Sequence, residues 1–240
     1  MLRKKIGIMQ PYFFPYLGYI SLIKHTDSFI LLDSVQFIRQ GWIERNRILK
    51  QREGWLYIQV PLKKDNGRST LIKDCNLDNS KPWKDKILAQ FQIYKKIAPN
   101  YELVMNFLNQ TFSKEFDNIT SLNKHILNEI CLYLEMPKEI SIFSEMGLTI
   151  EEPQDSDEWA LNICKSLGEK LTYINPIGGQ SFFDKTKYDL ADVELFFHKF
   201  NGLDYKQSYR SFEPNLSIID ALMFNSKEEI HYMLDQYELV

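Results

Sequence analysis

The sequence predicts an α/β fold with an N-terminal βαβ unit plus an antiparallel hairpin, a helical middle segment and a C-terminal α/β portion. Two short apolar runs at 6–9 and 28–33 flank a helical pattern, and strand, helix and strand within about 30 residues are typical of a βαβ unit. Strand-like runs at 43–49 and 55–62 are joined by a glycine-containing connection that suits a hairpin. Helical periodicity covers most of 82–134, after which strands and helices alternate.

Local start and stop signals predict the individual elements. The first helix begins at Pro15 or Tyr16, because proline is tolerated in a first helical turn, and it runs to His25. An Asn66–Gly67 turn signal precedes a further edge strand, and Gly168 ends a later helix. We expect further helices over 82–97, 101–109, 122–134, 157–167, 216–224 and 228–238, and further strands over 71–77, 140–143, 171–174 and 193–197.

Composition narrows the class of protein. The 240 residues carry 29 basic and 32 acidic side chains, for a net charge of −3. This balance argues against a nucleic-acid binder, which needs a broad basic surface. The chain contains no apolar run long enough to cross a bilayer. We therefore expect a cytoplasmic protein without membrane insertion, forming one domain over 1–240 with sub-regions 1–80, 81–137 and 138–240. Its oligomeric state is left open.

The first candidate site segment is the loop from Gln10 to Tyr16, which contains four aromatic residues and two prolines. It connects a strand end to a helix start, and open α/β sheets bind ligands beyond the carboxyl ends of their strands. Stiff rings would form a preformed wall there, and the Gln10 amide would supply directional hydrogen bonds. The alternative is that these aromatic rings only close the end of the core.

The second segment runs from Asp33 to Arg47. Asp33 ends the second strand at the same edge of the sheet as Gln10, and Arg45 and Arg47 share one face of a strand. Two adjacent guanidinium groups suit a phosphate or a carboxylate, so we expect both to share one cavity with the aromatic loop. The alternative is a solvated arginine face paired with nearby acids.

Two weaker segments lie near the C-terminus. A strand ending at Asn175 leads to Gly178 and Gly179, where a ligand could approach backbone amides, although a plain turn is the more economical interpretation. Ser217 and Asp220 fit a capping box, with a polar role for Asp220 in a cleft as the alternative.

The histidines and cysteines form no pattern typical of a metal site or a catalytic triad. We predict no metal and no cofactor, and Cys75 is the one thiol worth testing as a nucleophile. Asp33 and Asp220 are the candidate catalytic residues. The candidate substrate-binding residues are Gln10, Pro11, Tyr12, Tyr16, Tyr19, Gln36, Trp42, Arg45, Asn46, Arg47, Asn175, Gly178, Gly179 and Ser217.

Several of these strings together resemble the WbqC-like protein family, and the resemblance spans nearly the whole chain. Glu44 departs from the family's Trp-x-Asn-Arg-Asn-Arg pattern, which has asparagine at that position. The strings that carry the resemblance are Ile8-Met9-Gln10-Pro11-Tyr12-Phe13-Phe14-Pro15-Tyr16-Leu17-Gly18-Tyr19, Asp33-x-Val35-Gln36-Phe37, Trp42-x-x-Arg45-Asn46-Arg47-Ile48, Tyr173-Ile174-Asn175-Pro176 and Leu216-Ser217-Ile218-Ile219-Asp220.

The resemblance implies a role in making bacterial surface polysaccharides such as O-antigen and lipopolysaccharide. It implies transfer of an acyl or aminoacyl group, from an unidentified donor, to a nucleotide-linked amino sugar as the small-molecule substrate. A non-catalytic module that binds a glycan precursor or a partner enzyme is the alternative.

A fainter resemblance links the segment Tyr16-Leu17-Gly18-Tyr19 to nucleotidyltransferases that carry His-x-Gly-His. Here tyrosines occupy both histidine positions. Since those histidines stabilise charge on the transferring phosphate, nucleotidyl transfer by that mechanism is disfavoured.

Overall fold

A computed structural model describes residues 3–63, 69–207 and 211–240, which form eight strands and eight α-helices. The strands are β1 Lys4–Met9, β2 Ser28–Leu31, β3 Arg45–Leu49, β4 Trp55–Gln59, β5 Glu139–Ile142, β6 Leu171–Pro176, β7 Glu194–Phe200 and β8 Tyr237–Leu239. The helices are α1 Leu17–Lys24, α2 Trp83–Gln90, α3 Tyr101–Thr111, α4 Ile119–Tyr133, α5 Glu158–Leu167, α6 Lys185–Leu190, α7 Ile218–Phe224 and α8 Lys227–Leu234.

Six strands form one sheet in the order β5-β2-β1-β6-β7-β8, and β3 and β4 form a separate antiparallel hairpin. All neighbours in the large sheet are parallel except β7 and β8. The predicted βαβ unit, hairpin, helical middle and C-terminal α/β portion are therefore confirmed.

The sheet is covered on both faces, which explains why its parallel strands consist of apolar runs. Alternating side chains divide between two cores: Ile6 and Ile8 of β1 pack with α5 and α6, whereas Phe29 and Leu31 of β2 pack in the larger core. The larger core also contains α1 to α4, α7, α8 and the hairpin. The helical middle segment therefore thickens one face of the sheet.

The sheet has a topological switch point between β1 and β6. From β1 the chain adds β2 and β5 on one side, and then places β6 and β7 on the other side. At such a point the connections diverge and leave a crevice at the carboxyl ends of the two central strands, where open α/β sheets bind ligands. Those ends are Met9 and Pro176.

One predicted strand is absent, and two predicted helices end earlier than expected. The segment expected to be a strand over 71–77 contains a 3-10 turn at Ile72–Asp74 and only isolated bridges, from Leu71 to Gln36, from Asn76 to Asn118 and from Leu77 to Leu62. The Asn66–Gly67 turn signal lies outside the described residues.

The two helices that end early are α2 and α8. The helix expected to reach residue 97 ends at Gln90 and continues as a 3-10 turn, Phe91–Tyr94. The last helix stops at Leu234, because the following residues form strand β8, which pairs with β7. The short helix α6 was not predicted.

Candidate functional site

Two adjoining cavities, each of about 400 Å³, open at the switch point and together form what we call the cleft. Tyr16, Pro176 and Asn215 line both cavities. The arginine chamber is lined by Met9, Tyr12, Tyr16, Tyr19, Trp42, Asn46, Arg47, Pro176 and Asn215. The histidine chamber is lined by 16–18, 176–178, His198, Phe200, 202–205, Phe212 and 214–216.

Two buried asparagines hold the aromatic loop between β1 and α1 in place. The Asn46 amide donates to the carbonyl oxygens of Phe13, at 3.0 Å, and of Phe14, at 2.9 Å. The Asn123 amide donates to the carbonyl oxygen of Pro11 at 2.8 Å. These bonds satisfy carbonyl groups that would otherwise be buried without donors, and they hold Phe14 in a left-handed conformation with φ of 40°.

The three tyrosines of this loop and of α1 give the arginine chamber its aromatic wall. Tyr12 stacks on Tyr19 with ring centroids 5.3 Å apart, and the Tyr19 hydroxyl donates to the carbonyl oxygen of Gln10 at 2.8 Å. Tyr16 lies against Gly18, where a Cβ atom would come within 2.4 Å of its ring. Burial raises the pKa of Tyr12, Tyr16 and Tyr19, so all three remain neutral hydrogen-bonding groups at physiological pH.

The two arginines of β3 share a face, as predicted, but only Arg47 lines the cleft. The Arg47 guanidinium lies between the rings of Trp42 and Trp55, 5.3 and 5.2 Å from their centroids, and donates to the Asn215 carbonyl oxygen at 3.0 Å. The Arg45 guanidinium lies 3.9 Å from the Tyr57 ring centroid and donates to the Gln40 carbonyl oxygen. The structure therefore brings one guanidinium, rather than a pair, to the cleft.

The histidine chamber contains a neutral histidine. The Ser21 hydroxyl donates its single proton to the Leu234 carbonyl oxygen at 2.6 Å, so the Nε2 atom of His198, 2.9 Å from that hydroxyl, must carry a hydrogen and donate. Burial lowers the pKa of His198 to about 4, with a smaller contribution from His25. This network makes Nδ1 the unprotonated ring nitrogen.

Asp220 lies behind the wall of the histidine chamber rather than in it. Its side chain is fully buried, and its carboxylate accepts hydrogen bonds from the Tyr94 hydroxyl at 2.6 Å, the Tyr205 hydroxyl at 2.6 Å and the Gln207 amide at 2.7 Å. Burial raises the pKa of Asp220 to about 6, although the three donors favour the ionised form. Of these donors, Tyr205 lines the chamber.

The predicted capping box is wrong in its second half. The Ser217 hydroxyl accepts from the backbone N–H of Ile219 at 3.3 Å and caps α7 as expected. The backbone N–H of Ser217, however, donates to the Arg47 carbonyl oxygen, and the Asp220 carboxylate points to its three donors instead. A complete capping box occurs at Ser226 and Glu229 of α8.

Asp33 does not line the cleft. It does follow β2 at the same sheet edge as Gln10, but its carboxylate accepts from the backbone N–H of Ser144 at 3.1 Å and from the Ser144 hydroxyl at 2.6 Å. These bonds tie the end of β2 to the residues that follow β5. The two candidate catalytic carboxylates are thus held apart by different partners.

The two glycines of the turn after β6, Gly178 and Gly179, lie in different surroundings. Gly178 lines the histidine chamber, and a Cβ atom built on it would meet no other atom within 4 Å. A Cβ on Gly179 would lie 2.0 Å from the Asn175 amide nitrogen, which donates to the Pro176 carbonyl oxygen. Gly178 therefore borders the open site, while Gly179 allows tight packing against Asn175.

Cys75 has the properties of a core residue. It is fully buried, and burial raises the pKa of its thiol to about 12, which leaves almost no thiolate at neutral pH. Among the described residues, no group of three or more His, Cys, Asp or Glu side chains could hold a metal ion.

The sequence predicted most of the residues that line the arginine chamber and few of those that line the histidine chamber. The predicted residues that line the cleft are Tyr12, Tyr16, Tyr19, Trp42, Asn46, Arg47 and Gly178. Those that do not line it are Gln10, Pro11, Asp33, Gln36, Arg45, Asn175, Gly179, Ser217 and Asp220. His198, Tyr205 and Asn215 were missed. His198 and Tyr205 follow the strand predicted over 193–197, whereas Asn215 shortly precedes α7.

The fold and the cleft thus define an α/β protein with a two-chambered cleft at its topological switch point. The model of the WbqC-like protein family matches residues 10–232, so the chain belongs to this family. It is 27% identical over 224 residues to the uncharacterized protein Rv1507c of Mycobacterium tuberculosis (strain ATCC 25618 / H37Rv), an alignment that covers 92% of this chain and 94% of that protein. No solved structure matches the chain. Among the described residues, no helix is long and apolar enough to cross a membrane.

Proposed function

We propose that the protein is a transferase that binds a nucleotide-linked amino sugar in the cleft and adds an acyl or aminoacyl group to the sugar's amine. The observation that carries this proposal is the position of Arg47, a half-buried guanidinium held between two indole rings at the switch point. A guanidinium there can hold a phosphate through two parallel hydrogen bonds.

The surroundings of Arg47 favour a phosphorylated ligand with a flat or ring-shaped end. Helix α1 begins at the cleft, with Leu17 and Gly18 in its lining and without a side-chain cap on its first turn. Its N-terminal N–H groups and dipole therefore add to the attraction for an anion. Tyr12 and Tyr16 offer ring faces and hydroxyl groups to a sugar or base.

Acyl transfer to an amine needs a group that takes up a proton. As the nitrogen attacks the acyl carbon, the bond to the donor's leaving group breaks and the nitrogen loses a proton. We assign this proton to the Tyr205 hydroxyl, which passes its own proton to Asp220. With a pKa of about 6, Asp220 accepts a proton more readily than His198, whose pKa is about 4.

The binding test uses the two arginines as a matched pair. Calorimetric titration with a UDP-linked and a dTDP-linked amino sugar should give an affinity about tenfold or more weaker in Arg47→Ala than in the wild type. Arg45→Ala removes the same group from the same strand face outside the cleft and should leave the affinity unchanged. Equal affinity in wild type and Arg47→Ala would remove the proposal.

The turnover test uses Tyr205. The UDP-linked and dTDP-linked amino sugars are incubated with acyl and aminoacyl donors, and N-acylated product is detected by mass spectrometry. Tyr205→Phe should lower kcat while KM changes little, because the ring remains in the wall and only the proton path is cut. Asp33→Asn, outside the cleft, is the control and should retain turnover.

A non-catalytic module that binds a glycan precursor is the second candidate. It is favoured by one observation: Asp33 and Asp220 are both almost fully buried and hydrogen-bonded to protein groups. This candidate predicts that amino sugars bind while no donor yields product. Product that disappears in Asp220→Asn would contradict it.

A further inference from the structure

A third cavity, of about 510 Å³, lies beside the β3–β4 hairpin and contains a buried carboxylate. We call it the glutamate cavity after Glu44, which is only 4% exposed. Phe37, Val60 and Leu62 give it apolar walls, and Gln59 adds an amide. Its lining shares no residue with either chamber of the cleft, so a ligand there would occupy a separate site.

One oxygen of Glu44 is held by the loop that precedes β3. Oε1 accepts from the backbone N–H of Gln40 at 2.7 Å, and the carbonyl oxygen of the same residue accepts from the Arg45 guanidinium. Gln40 adopts a left-handed conformation with φ of 61°, which is unfavourable for a residue other than glycine. The backbone thus stays in a strained conformation that presents an N–H group to this carboxylate.

The other oxygen, Oε2, is buried and has no hydrogen-bond partner among the described residues. A buried carboxylate oxygen without a donor is unfavourable, and native structures contain few such groups. Burial also raises the pKa of Glu44 above its usual value. A positively charged group bound in the cavity would stabilise this poorly solvated carboxylate.

The charges around the cavity narrow the choice of donor. A protonated amine is the strongest partner for a carboxylate, because its hydrogen bonds are charge-assisted. Lys63 and Arg39 also line the cavity and would attract an anionic group on the same ligand. The volume lies within the range of small-molecule sites, and the apolar walls suit a short side chain.

We propose that the glutamate cavity binds a free α-amino acid, with its ammonium group on Glu44 and its carboxylate toward Lys63. This site is independent of the ligand proposed for the cleft. It adds to the protein a second small-molecule site, beside the residue that precedes β3.

The test is calorimetric titration of the whole chain with glycine, L-alanine and L-threonine as probes. N-acetylalanine, which lacks the ammonium group, and ethylamine, which lacks the carboxylate, serve as matched ligands. At least one amino acid should bind the wild type, at least about tenfold more tightly than either matched ligand. Absence of binding by all three amino acids, or equal binding of N-acetylalanine or ethylamine, would overturn the proposal.

The variants separate this site from the cleft. Glu44→Gln can still accept from Gln40 but lacks the charge, and it should lose the amino acid at least about tenfold. Glu53→Gln, at an exposed acid in the β3–β4 turn, should bind like the wild type. Arg47→Ala should keep amino-acid binding even where it loses the nucleotide sugar. Should Glu44→Gln fail to fold, Lys63→Gln tests the carboxylate end. Unchanged affinity in the folded Glu44→Gln or Lys63→Gln variant contradicts the proposal.

Discussion

Two segments face each other across the cleft and are fixed by opposite chemistry. The loop between β1 and α1 is held by the neutral amides of Asn46 and Asn123. Residues 205–207, which follow β7, are held by the carboxylate of Asp220 through Tyr205 and Gln207. An amide anchor is insensitive to pH, whereas a buried carboxylate is not. We therefore expect the wall formed by the β1–α1 loop to be insensitive to pH, whereas the stability of the opposite wall depends on the protonation of Asp220.

The largest effect is expected when the Asn46 amide, which donates to the β1–α1 loop, is replaced by a group that can only accept hydrogen bonds. Asn46→Asp replaces a donor of two hydrogen bonds by a carboxylate facing the carbonyl oxygens of Phe13 and Phe14. Because the buried charge would face two carbonyl oxygens and keep only the Arg47 backbone N–H as a donor, the free energy of unfolding should fall by about 3–5 kcal/mol. Urea unfolding measures the change, and Asn109→Asp on the exposed face of α3 is the control. A loss as small as that of the control would mean that Asn46 does not anchor the loop.

The second wall should respond to pH. Its anchor Asp220 has a folded-state pKa of about 6, above the usual 3.8. A carboxyl group whose pKa is raised by folding contributes stability that is present at low pH and is lost as pH rises through about 6. From pH 4.5 to 7.5 this group should lower the free energy of unfolding by about 2 kcal/mol.

Asp220→Asn isolates that contribution, since every other titrating group is common to both proteins. Denaturant unfolding at both pH values should show a steeper fall in the wild type than in Asp220→Asn. Parallel pH profiles would contradict a raised pKa at Asp220.

Local signals and long-range contacts explain what the sequence could predict about these two walls. The first wall was expected as a ring-rich segment at a strand end, because its aromatic residues and prolines are consecutive. The second wall was not predicted. The local pattern at Asp220 indicated a capping box, with a role in a cleft as the alternative, and its partner Tyr94 is 126 residues away. The same limit applies to β8, which has helical periodicity in sequence but pairs with β7.

Arg45 and Arg47 also show that a local pattern predicts the face of a strand on which a side chain lies, but not the distant groups that it contacts. Strand periodicity correctly placed Arg45 and Arg47 on one face, since the alternation of side chains is a local property. Periodicity could not show that the Arg45 guanidinium contacts Tyr57 and Gln40. Nor could it show that Arg47 lines the cleft and donates to the Asn215 carbonyl oxygen. Those partners are set by how the hairpin packs against distant segments.

A smaller loss of stability is expected when one hydrogen-bond donor to Asp220 is removed. Tyr205→Phe removes one of three donors from the buried Asp220 carboxylate, which should lower the free energy of unfolding by about 1–2 kcal/mol at pH 7.5. It should also raise the pKa of Asp220 further, because the lost hydrogen bond favours the ionised form. Urea unfolding at pH 4.5 and 7.5 should therefore show a smaller effect at the lower pH. Tyr232→Phe, at a side chain that is 62% exposed, is the control, and an equal loss at both pH values would contradict the coupling to Asp220.

The smallest expected effect concerns the glycine turn after β6, which separates a packed position from an open one. In Gly179→Ala the new methyl group would meet the Asn175 amide, which is bonded to Pro176, so stability should fall by about 1–2 kcal/mol. In Gly178→Ala the methyl group enters open space, and reduced freedom of the unfolded chain should leave stability unchanged or raise it by about 0.5 kcal/mol. Thermal unfolding of both variants measures the difference. A loss in Gly178→Ala equal to that in Gly179→Ala would show that Gly178 is packed and does not border the histidine chamber.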